Sequence, residues 1–157
     1  MNNLGDVLGY VTTSDQKQRP AVWWASGRDV PEDLSVVLTD LVNLKWGSTL
    51  VYGDNISDAG DTRTILWFRA WGINDLGQVC GIVEHRESHW DAGAWIIDIN
   101  EKLAFRFTPA PEDLELGYPP PGHSISAATA INNWGDVLVF GSSGTFIWQA
   151  NSVLQVE

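Results

Sequence analysis

Asn2-Asn3-Leu4-Gly5-Asp6-Val7-Leu8-Gly9, Ile73-Asn74-Asp75-Leu76-Gly77-Gln78-Val79-Cys80-Gly81 and Ile131-Asn132-Asn133-Trp134-Gly135-Asp136-Val137-Leu138 are three versions of one phrase. Asn and Asp tolerate left-handed backbone angles and Gly adopts them without steric cost, so Asn-Asn/Asp-x-Gly reads as a turn. The alternating apolar residues that follow read as a strand. Each phrase therefore predicts the entry to a β-hairpin.

Working outward, Val7 to Val11 passes through polar Thr12 to Gln18 into Ala21-Val22-Trp23-Trp24. Val79 to Val83 passes through Glu84-His85-Arg86-Glu87-Ser88-His89 into Ala94-Trp95-Ile96-Ile97, and Val137 to Phe140 through Gly141-Ser142-Ser143-Gly144 into Thr145-Phe146-Ile147-Trp148. These are strand, polar tip, strand. Flanking apolar runs, Leu34 to Leu38, Leu103 to Phe107 and Val153 to Val156 after the hairpins, Thr64 to Ile73 and Ser124 to Ile131 before two of them, add further strands. With Ser48 to Tyr52 the reading reaches about twelve short strands. Pro31 to Leu44 opens like a helix, with Pro first and acids behind it, but Val36-Val37-Leu38-Thr39 favours the strand. Pro109-Ala110-Pro111 and the prolines between Gly117 and Gly122 read as rigid connectors.

The totals agree with a folded β domain. The 157 residues are 44% apolar and 18% charged, enough for one domain with its own core. A net charge of −11 repels phosphate backbones and anionic lipid, which excludes nucleic acid and acidic membranes as partners. One cysteine, Cys80, forbids an intrachain disulfide and, between Val79 and Gly81, reads as a small core residue. No apolar run reaches the ~18 residues of a membrane helix, and the N-terminus lacks the layout of a signal peptide. The chain opens inside its own motif, without the strand that leads into the other two copies, so we expect Ser48 to Tyr52 or a second chain to supply it.

The pairing of Ile-Asn-Asp-x-Gly-x-Val-x-Gly at 73–81 with the strands at Ala21 to Trp24, Ala94 to Ile97 and Thr145 to Trp148 resembles the bacterial repeat family of probable extracellular proteins named for its His-Ala-Phe motif. The resemblance covers about two-thirds of the chain. It implies blades of a β-propeller and an extracellular setting. No copy has His before its Ala-Phe-like strand, Val139 replaces the glycine of the other copies, and the copies start 72 and then 58 residues apart. The expected fold is all-β: a propeller-like array of about three four-stranded antiparallel units, approximately 1–53, 54–108 and 109–157. A β-trefoil-like or other irregular barrel is the alternative. Three blades are too few for an ordinary propeller, so exposed edges call for covering, most simply in a homodimer of six units.

Nine tryptophans are the most suggestive feature for binding. Trp24, Trp95 and Trp148 occupy repeated strand positions and read as core, whereas Trp46, Trp90 and Trp134 fall in turns or loops. An exposed ring stacks on a sugar or a protein partner, and Trp90 between His89 and Asp91 is the leading candidate. His85 and His89 with Glu84, Glu87 and Asp91 read as a solvated tip and not as a metal cluster. Asp54, Asp58 and Asp61 gather oxygen donors around a glycine, a weak signal for Ca²⁺ in the absence of the full loop spacing, so no cofactor is expected. His123 has no obvious partner. No nucleophile elbow, phosphate loop or metalloprotease helix is present. The expectation is a non-catalytic module for protein interaction or self-assembly. A carbohydrate-binding module using the loop tryptophans comes second, and a glycoside-active enzyme fragment third.

Overall fold

The computed structural model describes all residues except 15, 28–29, 47–52, 57–59, 109, 114–124, 143, 150–151 and 156–157. The described residues form three antiparallel sheets and one helix. The first sheet is β1 (Val7–Thr12), β2 (Gln18–Trp23) and β3 (Glu32–Asp33), in that order. Helix α1 (Ser35–Trp46) leads to the second sheet of β4 (Gly53–Ile56), β5 (Thr62–Ile73), β6 (Val79–Asp91), β7 (Ala94–Thr108) and β8 (Ala110–Asp113). The third contains β9 (Ile125–Ile131), β10 (Val137–Gly141), β11 (Gly144–Gln149) and β12 (Ser152–Gln155). The all-β expectation holds apart from the helix.

The second sheet is the middle layer, because period-2 alternation sends its side chains into two different cores. Leu66, Phe68 and Ala70 of β5, Val79 and Val83 of β6, and Leu103, Phe105 and Phe107 of β7 meet Val22 and the helix. Cys80, Ile82 and Ala104 point the other way and pack on Ala128, Val137, Val139, Phe146 and Trp148 of the third sheet. Cys80 is thus a core residue, as expected, and burial pushes its thiol pKa up to about 12.

Three local readings are corrected. Leu34 to Leu38 is helical, not a strand: Asp33 Oδ1 accepts the Ser35 N–H at 2.8 Å, and Leu34, Leu38 and Val42 form a fully buried stripe at four-residue spacing. Burial of that stripe outweighs the β-branched preference of Val36 and Val37. Glu84 to His89 is not a loop, because β6 runs through it and pairs with β7 along its whole length. The hairpin turns at Ala92 and Gly93, both with positive φ as a tight two-residue hairpin turn requires. Leu103 to Phe107 accordingly continues β7, and Ala110-Pro111, read as a connector, belongs to edge strand β8. Ser48 to Tyr52, Gly117 to Gly122 and His123 lie outside the described residues.

Candidate functional site

The three phrases build one turn three times. In each, the Asn side chain folds back on its own turn: Asn2 Oδ1 accepts from the N–H groups of Leu4 and Asp6, Asn74 Oδ1 from Leu76 and Gln78, and Asn132 Oδ1 from Trp134 and Asp136. Gly5, Gly77 and Gly135 close the turns with positive φ, and the N–H of each donates to the carbonyl of its Asn. The glycine is required at Gly77 for a second reason, since an added Cβ would sit 2.9 Å from the Trp24 ring.

The turns also bond to one another. Asn2 Nδ2 donates to the Asn74 carbonyl at 2.7 Å, and Asn74 Nδ2 to the Asn132 carbonyl at 2.8 Å. One position further, Asp75 accepts from Asn3 N and Nδ2 and from Asn133 Nδ2, while its own N–H donates to Asn133 Oδ1. These donors, the Asn3 side chain foremost, hold the Asp75 carboxyl below its ordinary pKa. The result is a row of three turns across three sheets. Behind it, buried Arg106 donates to the Gly135 carbonyl at 2.8 Å and stacks 4.6 Å from the centre of the Trp148 ring.

A second region stands apart from the cores. Beyond a bulge at Glu87/Ser88, the ends of β6 and β7 form a hairpin arm, with β5 still paired to β6 as far as His89. Cross-strand partners share a face, so Trp90, Trp95 and Ile97 line one side while His89, Ile96 and Asp98 line the other. Trp90 and Trp95 meet edge to face with centroids 5.4 Å apart, and Trp90 and Ile97 remain 49% and 54% exposed. On the opposite side His89 Nδ1 lies 2.8 Å from Asp98 Oδ2, a contact that raises the histidine pKa. From Ala94 to Ala104, β7 has no strand partner on its outer edge among the described residues.

No family model, curated protein or solved structure matches the chain. The site therefore rests on geometry alone.

The arm carries Trp90, His89 and Asp91, the leading candidates from the sequence, on strand ends and not on a loop, and it separates them, with Trp90 on one face and His89 and Asp91 on the other. Trp134 stands 86% exposed at the third turn, whereas Trp46 closes the helix and packs its ring 5.1 Å from that of His85, away from both regions. Trp148 is core as read, while Trp95 belongs to the arm. His85 and Glu84 are buried, against the reading of a solvated tip: Glu84 pairs with Arg86 at 2.9 Å and His85 with Glu87 at 3.1 Å. Asp54 lies in β4, and the Asp61 carbonyl accepts the Trp90 N–H at 2.7 Å; Asp58 lies outside the described residues. Among the described residues no group of three acidic, His or Cys side chains is placed to hold a metal.

Two sets of residues escaped the sequence reading. Asn3, Asp75 and Asn133 join the turns, and their signal was the constant amide or acid at the second place of each phrase. Ile96 and Ile97 were read as part of an ordinary strand. Their warning sign was the unbroken apolar run Trp95-Ile96-Ile97, which leaves no polar face for solvent.

Proposed function

We propose that the chain is a non-catalytic, propeller-like β-repeat module for protein interaction or self-assembly, as the resemblance to the His-Ala-Phe repeat family also implies. The observation that carries this reading is the hairpin arm. It combines an exposed aromatic and aliphatic face at Trp90, Trp95 and Ile97 with an edge of β7 that, from Ala94 to Ala104, has no strand partner among the described residues. Aromatic anchors supply much of the energy of protein recognition, and an open edge offers backbone hydrogen bonds to an added strand. His89 and Asp98 on the arm are paired with each other, which suits a docking surface more than a reaction centre.

The exposure of the Trp90 ring supports a carbohydrate-binding module as the second reading. The test immobilises the full chain and its Trp90→Ala and Ile97→Ser variants, compares the proteins each captures from the source cells and medium, and applies the same three to a glycan array. A protein captured by the wild type and lost with both variants supports the proposal. Sugar binding lost with Trp90→Ala transfers it to the second reading, and the same capture profile for all three chains refutes the role of the arm.

A further inference from the structure

The long strands of the second sheet sort their charges by face. Alternation and register place Arg63, Arg69, Arg86, Lys102 and Arg106 of β5–β7 on the face of Cys80 and Ile82, and Glu84 is the one acid of these strands beside them. Glu87, Asp91, Asp98 and Glu101 fall on the opposite face, with His85 and His89. The edge strands add Asp54, opposite Ile65, and Glu112, opposite Arg106, to the register of the first face, which still leaves cations in excess there. In a chain of net charge −11, more than half of the nine basic residues thus stand on one side of one sheet.

The third sheet packs on the Cys80 and Ile82 end of that face. Further along, Arg86 pairs with Glu84 at 2.9 Å, and its guanidinium lies 5.5 Å from the centre of the Trp67 ring. Lys102, opposite Glu84, and Arg69, opposite Ile82, are exposed, and neither has an ion-pair partner among the described residues. Ser88 pairs with both Arg63 and Ile97, so the same face runs on into Ile97, Trp90 and Trp95 of the arm. From Glu84 to Trp90, β6 rises about 20 Å. One continuous face therefore carries cations toward one end and exposed aromatic and aliphatic side chains toward the other.

We propose that this face binds a short acidic polypeptide segment, its carboxylates against Arg86, Lys102 and Arg69 and its apolar side chains against Ile97, Trp90 and Trp95. The inference rests on the reading of an interaction module and names the chemistry of the partner. Charge complementarity identifies the occupant: unpaired cations on an acidic chain select carboxylates, and the rest of the surface repels any polyanion too long to stay within the patch. That favours a segment of about six extended residues over a nucleic acid or an acidic polysaccharide. Ile97 points the same way, since its aliphatic surface suits an apolar side chain more than sugar hydroxyls.

The test selects a phage-displayed library of random peptides, about eight residues long, on the immobilised full chain, and then measures a selected peptide by fluorescence anisotropy. We expect the selected peptides to carry acids toward one end and aromatic or aliphatic residues toward the other, with affinity that falls as salt rises. Arg69→Gln combined with Lys102→Gln should weaken binding about tenfold. Val30→Glu combined with Leu44→Glu changes the net charge equally at exposed positions elsewhere and should leave binding unchanged. A library that enriches no peptide, or only neutral or basic ones, overturns the inference, as do equal losses in the two double variants. Polygalacturonate bound where no peptide binds assigns the face to an acidic sugar and overturns it too. A captured protein lost with Trp90→Ala and Ile97→Ser but kept by the Arg69→Gln and Lys102→Gln double variant sinks this inference and leaves the proposed function standing.

Discussion

Replacing Gly81 by alanine tests whether the middle sheet is as tightly defined as its geometry implies. Gly81 pairs with Ala70 next to a bulge at Trp71, and an added Cβ would land on the Arg69 carbonyl oxygen and 2.9 Å from the Ala70 Cα. These are backbone atoms, so no side chain can rotate out of the way, and β5 would have to separate from β6 at the centre of the main core. Overpacking of this kind costs about 1–3 kcal/mol, and a backbone obstacle places Gly81→Ala at the top, about 3 kcal/mol. With a urea m-value of about 2 kcal/mol/M, the unfolding midpoint falls by about 1.5 M. Gly9→Ala is the control. Its Cβ would meet the edge of the Trp23 ring at 3.1 Å, an obstacle that can tilt aside, so the cost stays below about 1 kcal/mol. Both are read by tryptophan fluorescence in urea. Equal midpoints for the two variants would refute the reasoning. Val139 shows how that could come about, since it holds the corresponding place beside a corresponding register shift in β9.

Asn74→Ala removes two accepted and two donated hydrogen bonds from a side chain only 3% exposed, and should cost about 2–4 kcal/mol in the same urea assay. The Asp75 carboxyl has a lowered folded pKa, so its contribution is present above the ordinary value of 3.8 and is lost as pH falls through the folded pKa. Comparing stability at about pH 5 and about pH 3 should therefore show a smaller acid loss in Asp75→Asn than in the wild type. His89 works in the opposite sense: its raised folded pKa makes the Asp98 contact favourable below the ordinary value of 6.5 and lost as pH rises through the folded pKa, so His89→Gln should flatten the stability profile on that side of neutrality. Cys80, fully buried with its pKa raised, should resist a thiol reagent at about pH 8 in the native chain and react fully in urea.

Much of the β architecture is legible in the sequence because its signals are local. Asn-x-x-Gly carries its own turn chemistry in one side chain and one glycine, and the period-2 strands after it need only the pleat to sort their faces. Cys80 could be placed in the core from its two neighbours and its place in the alternation. What sequence reasoning missed is non-local. The helix over Ser35–Trp46 exists because Leu34, Leu38 and Val42 find Val22, Leu66 and Leu103 across the fold, a contact that no window around Val36 contains. Residues 84–89 look like a tip because they are charged, yet β7 pairs with all of them and places Glu84 and His85 inside.

The same division runs through the candidate surfaces. The sequence by itself determined that three turns exist and that each leads into a strand, because both follow from neighbours in the chain. Only the tertiary structure decided that Asp75 holds two other turns across 72 and 58 residues, and that Trp90 shares a face with Ile97 on the hairpin arm. The physical reason is that side-chain direction is set by local backbone geometry, whereas burial depends on which sheet arrives opposite, and that is settled by the packing of the whole chain.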